Sequence, residues 1–264
     1  MTAPAVIARP SPLPVLEHAL VAYKRTWRGS VFTTFLIPIL FLLGMGVSVG
    51  AYVDRGGVLG VPYLDYIAPG LLASSVLQVA MGESTWPVLA AFEWQRIYYG
   101  MQASPLRPSD ILVGQELYIL VRAAMSAAGF LVAMTLFGTV HSWWTLATLP
   151  VCLLLTAAGS LPVLAYSATI KSDNMFSLIY RFIVIPMTLF AGVFFPVTAL
   201  PLVARWVAYA SPLYHGVQLC RAATLRYPDT GSVWVHLLYL GLWTVGGYWL
   251  ARRRFIRRLK DGGQ

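Results

Sequence analysis

Glu83, Glu116 and Arg122 are ionisable side chains set into or against apolar runs, in "MGESTWP" and "GQELYILVR". A charge at membrane depth is costly, so it marks an ion path, a proton relay or a paired lock. A proton-driven carrier needs acids deeper in the bilayer than these, which sit near the ends of their runs. Glu116 and Arg122 are six positions apart, a spacing that does not stack them on one helical face. Glu83 and Arg122 are therefore expected to form a structural polar lock, with a transport-ion site as the alternative reading.

Other chemistries lack their residues. No GxxxxGK[ST] loop is present to wrap phosphates in backbone N–H groups. His18, His141, His215 and His236 show neither HExxH nor CxxC spacing, so no metal site is expected. No GxSxG elbow presents a nucleophile. Cys152 and Cys220 are too few for a disulfide framework, and Cys152 reads as a small core residue. The terminal "DGGQ" resembles part of an ATPase signature but reads as a flexible end. No catalytic residue and no bound cofactor are expected.

The elements that hold these residues follow from composition. Of 264 residues, 58% are hydrophobic and 11% charged, against about 25% charged in soluble domains. Apolar runs near 20 residues in such a chain signal an all-α integral membrane protein. Six spans are expected, at 31–51, 66–88, 111–137, 143–169, 178–197 and 232–251. The first thirty residues lack a basic start, apolar core and small-residue cleavage site, so no cleavable signal peptide is expected.

Orientation rests on lysine and arginine in short loops. With the N-terminus inside, 14 of these residues fall on the inner side, including Arg9 and six in 252–264, and 4 outside, namely Arg55, Arg205, Arg221 and Arg226. Both termini are thus expected in the cytoplasm. The net charge of +9 is strung between apolar spans and fits membrane anchoring rather than nucleic acid.

Three segments stand outside the spans. Leu13, Leu16, Leu20, Tyr23 and Trp27 share a helical face opposite Glu17, His18, Lys24, Arg25 and Arg28. That pattern suits a helix lying on the membrane surface within residues 1–30, or one packed on a partner. Residues 198–231 are too apolar for a soluble loop, and Pro201 and Pro212 each open a short run. They are expected to form two short outward re-entrant helices before the last span. Gly46 and Gly50 form a GxxxG, a close-packing site within the chain or between two copies in a dimer.

The arrangement resembles type-2 ABC exporter permeases. "ESTWPVLAAFEWQRIYYGMQASPLRPSDILVGQELY" is similar to a pattern of nodulation-factor (NodJ) and DrrB-like drug-export permeases. "AGVFFPVTALPLVARWVAYASPLYHGVQLCRAATL" resembles that family's signature after its fifth span. Tyr99 and Gly100 stand where the family has tyrosine and aspartate, so no charge-specific contact is assigned to Gly100.

The resemblance implies one transmembrane domain over 1–264, comprising an amphipathic start at 1–30, a core at 31–251 and a basic tail at 252–264. It implies a dimer, a homodimer first, with two copies of a separate cytoplasmic ABC ATPase that bind ATP and Mg. A coupling helix at about 94–105 would meet that ATPase. Trp94, Ile97, Tyr98 and Met101 are spaced to form its apolar face, Arg96 would meet acidic groups, and Pro105, Leu106 and Pro108 would follow the helix end. Asp110 or Ser109 would cap the third span. Phe194, Phe195 and Pro196 would sit near the outer end of a substrate pathway, or simply pack. The substrate would be hydrophobic or lipid-linked, an antibiotic or a lipo-oligosaccharide, in a multi-pass protein of the inner or plasma membrane. The alternatives are a membrane-embedded transferase acting on lipids and a proton-coupled secondary transporter.

Overall fold

A computed structural model describes residues 11–56, 60–225 and 232–262, and every regular element among them is helical. Helix α1 runs over Leu13–Phe41 and continues through a π-helical stretch, Leu42–Val49, into α2, Gly50–Val53. Pro38 sits inside α1 and removes one ladder donor just before the wider turns. The expected surface helix and first span are therefore one continuous element. Its start packs along a neighbouring helix through Val15, Ala19 and Tyr23, while Leu13 and Trp27 face outward. The predicted apolar face is split between protein and surroundings. Arg9 and Arg226 lie outside the described residues, as do 226–231 of the outward segment and the last two residues of "DGGQ".

Helix α3, Tyr63–Ser84, stops at Thr85 and restarts as α4, Trp86–Glu93. After a turn comes α5, Ile97–Gln102, and then α6, Pro108–Leu136, and α7, Thr148–Ser167. Pro108 opens α6, and the Asp110 carboxylate accepts the Arg107 backbone N–H at 3.0 Å, as expected of a helix start here. The next segment is α8, Asn174–Ile179, a π turn at Tyr180–Val184 and α9, Ile185–Phe190. Helices α10, Leu202–Tyr209, and α11, Pro212–Leu225, follow Pro201 and begin at Pro212, the two starts the sequence suggests. Helix α12 runs unbroken over Val233–Asp261.

Four of these stretches are long and apolar enough to cross a membrane: Leu36–Gly56, Tyr63–Glu93, Pro108–Leu136 and Trp143–Ser167. Asn174–Phe190, at the expected fifth span, is apolar but shorter. The expected sixth span forms the first part of α12. Residues 252–261 are no loose tail, because they extend α12 and bury Phe255 and Leu259.

Two apolar cores stack along the bundle. One joins α3, α6, α7 and α11 through Ile67, Leu72, Phe130, Leu155 and Leu213. The other lies at the end carrying α5, where Phe92, Tyr98, Ile111, Leu164 and Phe255 meet. Helices α7 and α12 approach so closely that a Cβ at Gly247 would lie 2.8 Å from Pro162 Cδ, and small residues permit such approaches between membrane helices.

Gly46 and Gly50 belong to this interior packing. A Cβ at Gly46 would come within 2.1 Å of Leu64 Cδ1, and one at Gly50 within 3.7 Å of Tyr63 Cβ, both on α3. The GxxxG therefore joins the π-helical stretch and α2 to α3 of the same chain. Of the two readings, the described residues show packing within the chain.

Candidate functional site

Pro87 cannot donate to the carbonyl four residues back, so the Glu83 carbonyl loses its helical partner. The Gln115 amide reaches that oxygen at 3.5 Å, and the Ser167 hydroxyl donates to the neighbouring Ser84 carbonyl at 2.6 Å. The break between α3 and α4 is thus stitched to α6 and α7 by side chains. At the same break, Arg122 Nε donates to Glu83 Oε1 at 3.0 Å. The guanidinium also lies over the Tyr23 ring, 4.4 Å from its centroid, which brings α1 into the cluster. The structure brings Glu83 and Arg122 together as the expected polar lock. Glu116 turns elsewhere and accepts the Ser160 hydroxyl of α7 at 2.8 Å.

Beyond α4 the chain reverses at Arg96, whose φ of 54° lies in the left-handed region. That turn ends the expected single helix over 94–105 and leaves α5 as a short piece. Its spacing does not produce one apolar face. Trp94 is 63% exposed, whereas Tyr98 is 3% exposed and packs on Phe92 and Phe255 at ring distances of 4.8 and 6.0 Å. Met101 and Leu106 are half-buried against the same core, and Ile97 is half-buried. The expectation that Tyr98 and Met101 face a partner is corrected, because they anchor α5 inward. What projects outward is Trp94, Gln95 and Arg96, with Ser104, Pro105 and Arg107 on the following turn. Burial pushes the Tyr98 phenol well above the ordinary tyrosine range.

Sequence reasoning missed what holds this turn. Arg258, on the last turns of α12, donates to the carbonyls of Ser167 and Ile170, both at 2.8 Å, and to the Glu93 carboxylate. It also covers the Phe92 ring at 4.3 Å. Ser167 therefore ties the α3–α4 break to α12, through its hydroxyl on one side and its carbonyl on the other. The signal for this lay in Ala251, Phe255 and Leu259, which recur every fourth residue through the basic run.

At the other end, Arg221 is a buried residue of α11 rather than a loop cation. It donates to the carbonyls of Gly192, Val193 and Tyr66 and sits 3.7 Å from the Tyr66 ring centroid. His215 and His236 meet through their Nδ1 atoms at 2.7 Å, joining α11 to α12. His215 Nε2 donates to the Tyr209 carbonyl at 2.9 Å, so in a neutral His215 Nδ1 accepts and His236 supplies the proton. Phe194 packs on the core and its carbonyl accepts the Tyr63 hydroxyl at 3.2 Å, while Phe195 is exposed. An apolar cavity of about 600 Å³ lies between α3, α7, α8, α9 and α12, lined by Met81, Pro162, Phe182, Met187 and Trp243 among others. Phe194, Phe195 and Pro196 do not line it. No cluster of three or more metal-ligating side chains occurs among the described residues.

Residues 15–225, from the start of α1 through the end of α11, match the family model described as ABC-2 type transporter. The chain belongs to that family. The resemblance to type-2 ABC permeases is borne out, and this ABC-2 chain is a multi-pass membrane protein. It is 26% identical over 247 residues to Nodulation protein J of Rhizobium leguminosarum bv. viciae, covering 94% of each chain. To Nodulation protein J of Rhizobium leguminosarum bv. trifolii it is 28% identical over 245 residues, covering 93% of this chain and 92% of that one. The Inner membrane transport permease YadH of Escherichia coli K12 is 25% identical over 215 residues, covering 80% of this chain and 81% of that one. The matched region contains the α3–α4 break, the α5 turn and the buried Arg221.

Proposed function

We propose that this chain is the membrane subunit of an ATP-driven exporter of a hydrophobic or lipid-linked substrate. Two copies would pair with two copies of a separate cytoplasmic ABC ATPase, which supplies ATP and Mg chemistry. Both termini and the α5 turn would face the cytoplasm of a cell whose inner or plasma membrane holds the chain. Asn174–Phe190 and the first part of α12 would complete six crossings, with α10 and α11 dipping into the outer leaflet. The 600 Å³ apolar cavity offers a lipid-facing recess for part of such a substrate. Its lining supports an apolar cargo, and Phe194, Phe195 and Pro196 would then serve only the outer end of the route.

The observation that carries the reading is the two-sided α5 turn. Trp94 and Arg96 stand free on one side, and Tyr98 with Glu93 is fastened to α12 on the other. A tip with a fixed back can transmit force from a partner, whereas a slack loop would absorb it. Aromatic and arginine side chains of this kind are enriched where interfaces concentrate their binding energy.

The experiment is copurification with a candidate cytoplasmic ABC ATPase from the same organism, followed by substrate-stimulated ATP hydrolysis. Trp94→Ala with Arg96→Ala should lower ATPase capture by at least about tenfold, one step of roughly 1.4 kcal/mol, while insertion and thermal stability stay normal. Undiminished capture and export by that variant would refute the docking role. Transport by the isolated chain on a proton gradient would refute the exporter reading itself.

A further inference from the structure

At the α5 end a second cavity of about 400 Å³ opens between three elements, the α4–α5 turn, the segment after α7 and the end of α12. Unlike the first, its lining carries several charged side chains. Glu93 and Arg258 lie in its wall and neutralise each other. That leaves Arg96, Lys171, Arg254 and Arg257 facing a single further acid, Asp261. The side chains of Lys171, Arg254 and Arg257 make no hydrogen bond or ion pair among the described residues. Arg96 makes only a distant contact with the Tyr99 ring, at 5.7 Å. Cations drawn from three separate elements into one recess repel each other, and an anion between them relieves that repulsion.

Depth identifies the anion. The apolar part of α12 ends at Leu250, after the half-exposed Tyr248 and Trp249, which suit the membrane–water boundary. Arg253 stacks on the Trp249 ring at 3.3 Å and marks the same level. Arg254 and Arg257 lie about 6 and 10 Å beyond Leu250 along the helix. The headgroup layer is roughly 5–8 Å deep on each side of the hydrocarbon core, so the recess opens within and just beyond it. A soluble anion would have no reason to favour this depth, and the outward Trp94 is not part of the recess lining. Basic recesses between membrane helices on the inner face suit phosphate headgroups.

We propose that this recess binds the phosphate headgroup of an anionic phospholipid. The headgroup bridges Lys171 and Arg254 to the turn that carries Arg96. Because Arg258 and Glu93 form its back wall, a bound lipid fixes the end of α12 against the α4–α5 turn. The site requires neither ATPase nor transported substrate, so its failure would leave the exporter reading standing.

The test uses the intact permease in nanodiscs of phosphatidylcholine doped with phosphatidylglycerol, with retained lipid counted by native mass spectrometry. Wild type is expected to retain phosphatidylglycerol selectively. Lys171→Gln with Arg254→Gln should weaken that retention by about tenfold. Arg252→Gln with Arg253→Gln removes the same charge from outside the recess and should leave retention unchanged. Circular dichroism on both pairs checks that they fold, and Lys171→Arg with Arg254→Lys provides a charge-conserving pair that should restore binding if the first pair misfolds. Equal loss from both pairs would overturn the proposal in favour of diffuse attraction. Displacement of the lipid by millimolar inorganic pyrophosphate would overturn the lipid assignment and make this a free-anion site. Unchanged lipid retention with reduced ATPase capture would reassign the recess to the protein partner.

Discussion

Arg122 Nε and Glu83 Oε1 meet at 3.0 Å although 39 residues separate them in the chain, and the contact joins α6 to the point where α3 breaks. Both side chains are mostly buried, 14% and 20% exposed respectively. Removing one partner leaves the other charge without its counterion in a poorly solvated place. Glu83→Gln and Arg122→Gln should each destabilise the protein, and the double variant should lose less than the sum, with a coupling of about 1–3 kcal/mol. Unfolding of the four proteins in one detergent measures this; additive losses would dissolve the lock.

Arg258 should be intolerant of a conservative change. Its planar fork serves two carbonyls and a carboxylate together, a geometry that a lysine ammonium does not reproduce. Arg258→Lys and Arg258→Gln should both cost on the order of 2–5 kcal/mol and expose the end of α12 to trypsin. Unchanged cleavage rates would show that α12 is held by Phe255 and Leu259 alone.

Two glycines give opposite expectations. A Cβ at Gly114 would stand 2.5 Å from Val15 Cβ and 2.8 Å from the Pro12 carbonyl oxygen, so α1 must move away from α6. Gly114→Ala should destabilise by about 1–3 kcal/mol. Gly100, inside α5, has nothing within 4 Å of its Cβ position, and Gly100→Ala should gain roughly 0.5–1 kcal/mol from backbone entropy. Thermal shifts of opposite sign are the expected outcome, and shifts of the same sign would contradict the α1–α6 contact.

Tyr98 supplies a pH dependence. Its folded pKa is raised by burial, so its contribution is full below the unfolded value near 10 and falls as pH rises above it. Wild type should lose stability between about pH 9.5 and 11 more steeply than Tyr98→Phe, which keeps the ring against Phe92 and Phe255. Parallel unfolding curves across that range would place the phenol in water.

The sequence makes the lock legible because charges are scarce in apolar runs, so Glu83 and Arg122 have few alternatives. Helix starts at Pro108, Pro201 and Pro212 are equally readable, since proline fixes φ and needs no donor at a first turn. The direction of α5 is not readable. A six-residue helix completes too few turns for spacing to define a face, and nothing in the identity of Arg96 announces a positive φ. The role of Arg258 is masked by its neighbours: in a run of arginines, one that turns inward looks like those that do not. Gly46 and Gly50 show a further limit, because GxxxG states that something packs closely without stating which chain supplies it.

The unbroken course of α12 has a mechanical consequence. Its 29 residues make a strut about 43 Å long at 1.5 Å per residue. His236 is seated on His215 at one end, and Arg258 grips Ser167, Ile170 and Glu93 at the other. Pivoting on one seat, a tilt of about 5° moves the other, about 33 Å away, through roughly 3 Å, about the length of a hydrogen bond. A small rocking at either face is thereby converted into a making or breaking of contacts at the opposite one.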